Sequence, residues 1–321
     1  MLFYFVKANK TMSTFQIKNN KFTKIKEKSF DYEKDLQKLV EQNLKEVFGL
    51  EFVSGALDKQ FYLKNLEIDT LAFDPETKTF VIIEYKKNKS FSIIDQGYAY
   101  LALLLNNKAE FILHYNDKKD KNLKKDDIDW SQSRVLFIAK EFTPHQKGAI
   151  SFRDLPIGLW EVQLMEKDII SFSQIKPAEV QESITKVTKS STIEKVSQEV
   201  KTPTFEDHYQ KASPLIKPLL SKLREKILSL DENIKEKPVK NYIGYKLDWY
   251  NFVSVHVQMG KLKIEVRKQK LKNDKEKRFK KYPNSYGYGI TPLWWGYILK
   301  DKELDYMLEI IKESYEAAPD R

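Results

Sequence analysis

The chain has 321 residues, a formal charge of +10 and no cysteine. That length accommodates two domains with separate cores. Without cysteine there is no disulfide, no thiolate zinc site and no cysteine nucleophile, so a soluble cytoplasmic protein is the simplest expectation. The longest uninterrupted apolar run lies around residues 101–105, far short of the roughly 20 residues that span a bilayer. Residues 1–6 are too short for a signal-peptide core and are followed by Lys7, and Met12 is an alternative start.

In chain order, residues 15–25 predict a small hairpin around Asn19-Asn20. Residues 29–49 predict an amphipathic helix whose apolar side is Leu36, Leu39, Val40, Leu44 and Val47, terminated at Gly49. Two β-branched and aromatic runs across residues 68–86, joined by Asp74-Pro75-Glu76-Thr77-Lys78, predict an antiparallel hairpin. A second helix follows over residues 90–105. Beyond it come an apolar strand over 109–115, a charged loop over 116–129, a strand over 133–139, a helix from Thr143, and a strand pair between Leu159 and Phe172. A helix between two strands permits a parallel crossover, so the expected fold class is α/β (α+β): a mixed sheet flanked by helices.

The central hairpin carries the chemistry. A turn centred between Glu76 and Thr77 opposes Asp69 to Glu84, with directly opposed side chains roughly 5 Å apart at Cβ. Lys86 lies two residues beyond Glu84 and shares its face, while Val81, Ile83 and Tyr85 point to the other. Two carboxylates this close need a proton, a cation or a metal between them. Mg2+ suits such a site, because it binds one or two carboxylates plus waters and phosphate oxygens. Alone, the three charges are equally compatible with the solvated face of an edge ribbon, and Glu-x-Lys recurs at Glu76-Thr77-Lys78 and Glu199-Val200-Lys201. Glu33 is either a helix-start residue favoured by the dipole or a third acidic group at the site. Gln96 and Tyr100, four apart, share one face of the next helix.

Taken together, these four elements over residues 29–116 resemble the PD-(D/E)XK nuclease superfamily, in particular the branch of RecB-like, archaeal mismatch-cleaving and Holliday-junction-resolving enzymes. The resemblance implies a restriction-endonuclease-like fold. It implies that Asp69 and Glu84 bind Mg2+ or Mn2+, that Lys86 serves the attacking water, that Glu33 completes the acidic cluster, and that Gln96 and Tyr100 support the site. The implied activity is hydrolysis of phosphodiester bonds in DNA. A homodimer is compatible with cutting both strands of a duplex. The alternative is a nucleic-acid-binding or protein-interaction module that keeps the fold without turnover.

Residues 1–175 are thus expected to form the nuclease-like domain. Residues 176–204 lack aromatics and read as a polar linker, a composition that also permits a short helix inside it. Residues 205–321 are expected to be a small α+β domain binding substrate or partner: a helix through Leu215, Leu219, Leu223, Ile227 and Leu230, three apolar runs between Tyr242 and Arg267, and a final helix over 303–317. This half resembles an uncharacterised domain that accompanies such nuclease-like modules, in proteins sometimes labelled predicted transport proteins; the absence of a spanning segment argues against that label. Residues 267–281 hold nine Lys or Arg against Asp274 and Glu276. The run is either a solvated loop or a nucleic-acid contact through Arg267, Lys268, Lys270, Lys277, Arg278, Lys280 and Lys281, beside Tyr282, Tyr286, Tyr288, Trp294 and Trp295. His114, His145, His208 and His256 show no metal-ligand spacing, and no Gly-rich phosphate loop is present.

Overall fold

The computed structural model describes residues 14–28, 30, 33–64, 66–86, 92–152, 154–176, 182–187, 190–201, 203–283 and 293–319. Residues 1–6, Met12, Tyr286 and Tyr288 lie outside the described residues. Among the described residues, no helix is long and apolar enough to cross a membrane.

The first half runs β1 (Thr14–Lys18), β2 (Lys21–Ile25), β3 (Glu27–Lys28), α1 (Glu33–Gln42), α2 (Leu44–Phe48), β4 (Glu51–Ser54), β5 (Phe61–Leu63), β6 (Leu66–Ile68), β7 (Thr70–Asp74) and β8 (Thr79–Lys86). It continues with α3 (Ile93–Asn106), α4 (Lys108–Lys119), β9 (Arg134–Ala139), α5 (Pro144–Ala149), β10 (Ile157–Met165), β11 (Ile169–Gln174), α6 (Ile184–Val187) and α7 (Ser191–Glu199). The central sheet has the order β11-β10-β9-β8-β7-β4, with β3 joining β10. β8, β9 and β10 are parallel to one another, whereas β7 pairs antiparallel with β8, and β4 antiparallel with β7. The mixed sheet is therefore present. Its parallel part depends on α3, α4 and α5 as crossovers.

Alternation sends side chains into two cores, one on each face. On one side Leu36, Val40 and Leu44 of α1 and α2 meet Val81, Ile83 and Tyr85 of β8. On the other, Leu71, Phe80 and Ile82 meet Leu101, Leu104, Phe111 and Tyr115 of α3 and α4. Phe80 is fully buried between Phe111 and Tyr115, a burial contributing roughly 2–3 kcal/mol. The first hairpin turns through Asn19 and Asn20, both at positive φ, as a tight two-residue turn requires.

Four expectations need correction. The helix over 29–49 is two helices, broken at Asn43 and ended by Gly49 at φ 68°. Its buried side is Leu36, Gln37, Val40, Glu41 and Leu44, while Leu39 is 37 % exposed. Residues 109–115, expected as a strand, lie in α4, because Phe111 and Tyr115 turn inward at a spacing of four and Leu113 faces solvent. That helix also takes up the first residues of the expected loop over 116–129. The expected linker carries α6 and α7, and Ile184, Ile193, Val196 and Val200 are buried in the first core.

The second half comprises α8 (Phe205–Lys211), α9 (Ile216–Leu228), β12 (Lys235–Pro238), β13 (Ile243–Leu247), β14 (Tyr250–Gln258), β15 (Lys261–Arg267), β16 (Lys280–Lys281), β17 (Leu293–Ile298) and α10 (Leu304–Glu316). Its six strands form an antiparallel sheet in the order β12-β13-β14-β15-β17-β16. Leu219, Leu223 and Ile227 of α9 and Met307, Ile310 and Ile311 of α10 share its core with Leu262, Ile264 and Val266 of β15. Alternation puts Lys261, Lys263, Glu265 and Arg267 on the opposite face.

The two halves meet at the β7–β8 turn. Glu76 accepts hydrogen bonds from Tyr242 Oη at 2.9 Å, Lys246 Nζ at 2.7 Å and Asn251 Nδ2, and Arg267 Nη2 stands 3.8 Å away. Burial alone would raise the Glu76 pKa, but the charges of Lys246 and Arg267 hold it below the ordinary value. The Glu76 of this Glu-x-Lys is thus an interdomain clasp.

Candidate active site

The ladder between β7 and β8 pairs Thr70 with Ile83 and Asp74 with Thr79. Extended by one residue, this register opposes Asp69 to Glu84, as the turn chemistry requires. Asp69 itself occupies a bend between β6 and β7. Its Oδ2 accepts from Tyr85 N–H at 3.0 Å, which fixes the carboxylate across the end of the hairpin.

Glu84 is 4 % exposed and lies at the same end. Lys86 Nζ donates to Glu84 Oε1 at 2.6 Å, so the two share one side of β8. The second oxygen, Glu84 Oε2, is buried without a hydrogen-bond donor. Burial pushes the Glu84 pKa up, and Lys86 offsets part of that rise. Burial first, and the Glu84 charge second, push Asp69 up to about 7 despite the Tyr85 N–H. Such a pair is short of positive charge.

The other expected residues fall as follows. Glu33 opens α1, and its charge raises the pKa of both Asp69 and Glu84. Tyr100 of α3 donates to the Glu67 carbonyl at 3.3 Å; burial, then the neighbouring Glu84 charge, push its hydroxyl well above the ordinary value. Gln96, one turn earlier on α3, is half-buried, and its Oε1 has no hydrogen-bond partner. Among the described residues, no three His, Cys, Asp or Glu side chains come together as a metal cage. An ion at this place would therefore have two protein carboxylates, completed by water and phosphate oxygens, as Mg2+ permits.

Two residues of the site were not anticipated. Gln37 Nε2 donates both to Glu41 Oε1 at 2.9 Å and to the Asp69 carbonyl at 2.6 Å. Glu41, only 3 % exposed, also accepts from Ala56 N, Leu57 N and Thr70 Oγ1. Their signal in the sequence is a polar stripe, Glu33, Gln37 and Glu41, at successive spacings of four on α1.

The basic run is not one exposed stripe. Lys268 Nζ is 3.1 Å from Glu313, Arg278 Nη2 is 2.9 Å from Glu303, and Arg267 faces Glu76. These three serve intramolecular ion pairs, while Lys270, Lys277, Lys280 and Lys281 are exposed.

Comparison with known proteins adds three findings. A family model described as a domain of unknown function (DUF5655) matches residues 205–318. An uncharacterized protein of Haemophilus influenzae is 36% identical over 304 residues, covering 94% of this chain and 99% of the relative. No solved structure matches.

Proposed function

This chain belongs to the same family as the Haemophilus influenzae protein, and for it we propose the activity of a metal-dependent deoxyribonuclease with its site at Asp69, Glu84 and Lys86. The observation that carries the reading is Glu84: a buried carboxylate opposed to Asp69, with one oxygen on Lys86 and the other undonated. A buried carboxylate that Lys86 and the Tyr100 hydroxyl stabilise only in part, beside a second carboxylate, suits a hard cation.

Asp69 and Glu84 would hold the ion, and Mg2+ or Mn2+ would supply charge neutralisation at the phosphate and acidify a bound water. Lys86 stands where its ammonium can orient that water and stabilise negative charge developing on the scissile phosphate. The Tyr85 N–H keeps Asp69 from rotating away, and Tyr100 walls the pair from solvent on the α3 side. Glu33 adds negative charge at the mouth of the site. Exposed lysines of the second domain are suited to phosphate contacts. A cytoplasmic location and pairing of two copies accord with this reading.

A second reading is favoured by the lack of a three-ligand cluster among the described residues: a nucleic-acid-binding or protein-interaction module without turnover. Calorimetric titration with Mn2+ separates the two. The nuclease reading predicts one site per chain, abolished in Asp69→Asn. No binding to the wild type would remove it.

A further inference from the structure

The end of the second sheet nearest β16 carries an arrangement that the hairpin site does not use. Trp295 and Tyr297, two apart on β17, share the face of Lys261 and Lys263, as the pairing of Tyr297 with Lys263 requires. Their rings stand 5.3 Å apart, and Tyr282 extends the row at 6.2 Å from Trp295. Each ring has an ammonium near its face. Lys261 Nζ is 3.7 Å from the Tyr297 centroid, Lys280 Nζ is 5.5 Å from that of Trp295, and Lys263 Nζ lies 5.1 Å from Tyr282. Trp295 and Tyr297 are both partly exposed.

The acid on this patch, Glu265, is occupied. Its Oε1 receives Tyr282 Oη and Lys263 Nζ, each at 2.7 Å, and its Oε2 lies 3.2 Å from His256 Nε2. Lys280 on β16 and Lys261 at the start of β15 therefore set the local sign of the potential.

We infer that this row, Trp295 and Tyr297 with Lys261, Lys263 and Lys280, is a track for single-stranded DNA. The inference rests on the nuclease reading for its choice of DNA. Along a strand, alternate side chains repeat at about 7 Å, a spacing that suits successive unstacked bases. A base stacked on an aromatic side chain is worth about 1–3 kcal/mol, whereas an exposed cation–π pair is worth about 0.5–1 kcal/mol. Lys261 and Lys280 can thus exchange their rings for phosphates while bases take the rings, and Lys263 stays on Glu265. A duplex buries its base faces and cannot use the rings. An acidic peptide would satisfy the lysines and leave the rings idle. At its Arg267 end the same sheet face receives Glu76 from the β7–β8 turn, at the end of the hairpin opposite Asp69 and Glu84.

The test measures binding apart from cleavage, using full-length Glu84→Ala protein in EDTA and fluorescence anisotropy with labelled oligothymidylate. Trp295→Ala in that background is expected to weaken binding roughly 5- to 100-fold, and Trp295→Phe to keep most of it. Lys280→Gln, at an exposed position, is expected to lower the salt slope of binding by about 0.7. Unchanged affinity in Trp295→Ala and an unchanged slope in Lys280→Gln overturn the track. So does equal or tighter binding of duplex DNA, oligouridylate or polyglutamate. Wild-type cleavage, assayed separately, reports on the nuclease reading, so the two claims fail independently.

Discussion

Gln37 on α1 donates to the carbonyl of Asp69 at 2.6 Å, so the helix on one face of the sheet fixes the backbone of the residue that opposes Glu84. Glu41 completes this anchor from inside the fold, holding Ala56, Leu57 and Thr70 in place. Gly55 makes room for it, since a Cβ there would come within 2.0 Å of Glu41 Oε1.

Removing the anchor has graded effects. Glu41→Ala leaves several buried donors unsatisfied and is expected to cost about 3 kcal/mol in urea unfolding. Gln37→Ala is expected to cost about 1 kcal/mol and to weaken Mn2+ binding several-fold, because Asp69 loses its backbone hold. Unaltered Mn2+ affinity in a folded Gln37→Ala protein would separate Gln37 from the site.

Asp69 and Glu84 repel each other in the absence of a cation. Asp69→Asn removes one charge and keeps an acceptor for the Tyr85 N–H. Without divalent ions, the variant is expected to be more stable than wild type by roughly 1–3 kcal/mol. Added Mn2+ should then raise the melting temperature of the wild type alone. A variant less stable than wild type in EDTA would contradict the repulsion.

Glu265 predicts an acid transition in the second domain. Burial alone would raise its pKa, but His256, Lys263 and Tyr282 hold it down to about 2, against an ordinary 4.5. A carboxylate depressed on folding contributes stability that is present above pH 4.5 and lost as pH falls toward 2. The contribution is on the order of 3 kcal/mol, and Glu265→Gln should flatten stability across that window. A variant with the same acid slope as wild type would deny the coupling.

The clasp at Glu76 is expected to govern how the halves hold together. Glu76→Ala takes the shared carboxylate from Lys246 and Arg267 and leaves Asp74 as the acid near Lys246, at a cost of about 3 kcal/mol. Differential scanning calorimetry should show the second domain melting separately in the variant. A single transition at the wild-type temperature would mean that the clasp carries no energy.

How much of this was legible depended on sequence distance. The Asp69–Glu84 register followed from a local turn and alternating side chains, and the structure keeps the same pairing sum. The first hairpin, β9, α5 and the β10–β11 pair were legible for the same reason. α4 was not, since a short apolar run such as residues 109–115 suits a strand or a buried helix turn equally. Ile193 and Val196 sit isolated among polar residues, so their docking on α3 is set by the tertiary contact alone. The ion pairs within the basic run were hidden for a non-local reason: Glu303 and Glu313, which neutralise Arg278 and Lys268, lie 25 and 45 residues further on.

The most direct measurement is cleavage of DNA by the full-length protein with Mg2+ or Mn2+, on single-stranded, duplex and branched substrates, beside Glu84→Ala. The account predicts cut products with the wild type that vanish in EDTA and fall at least a hundredfold in the variant, roughly the scale of losing one transition-state electrostatic contact. Equal cleavage by both proteins, or none by the wild type on any of these substrates, would contradict it.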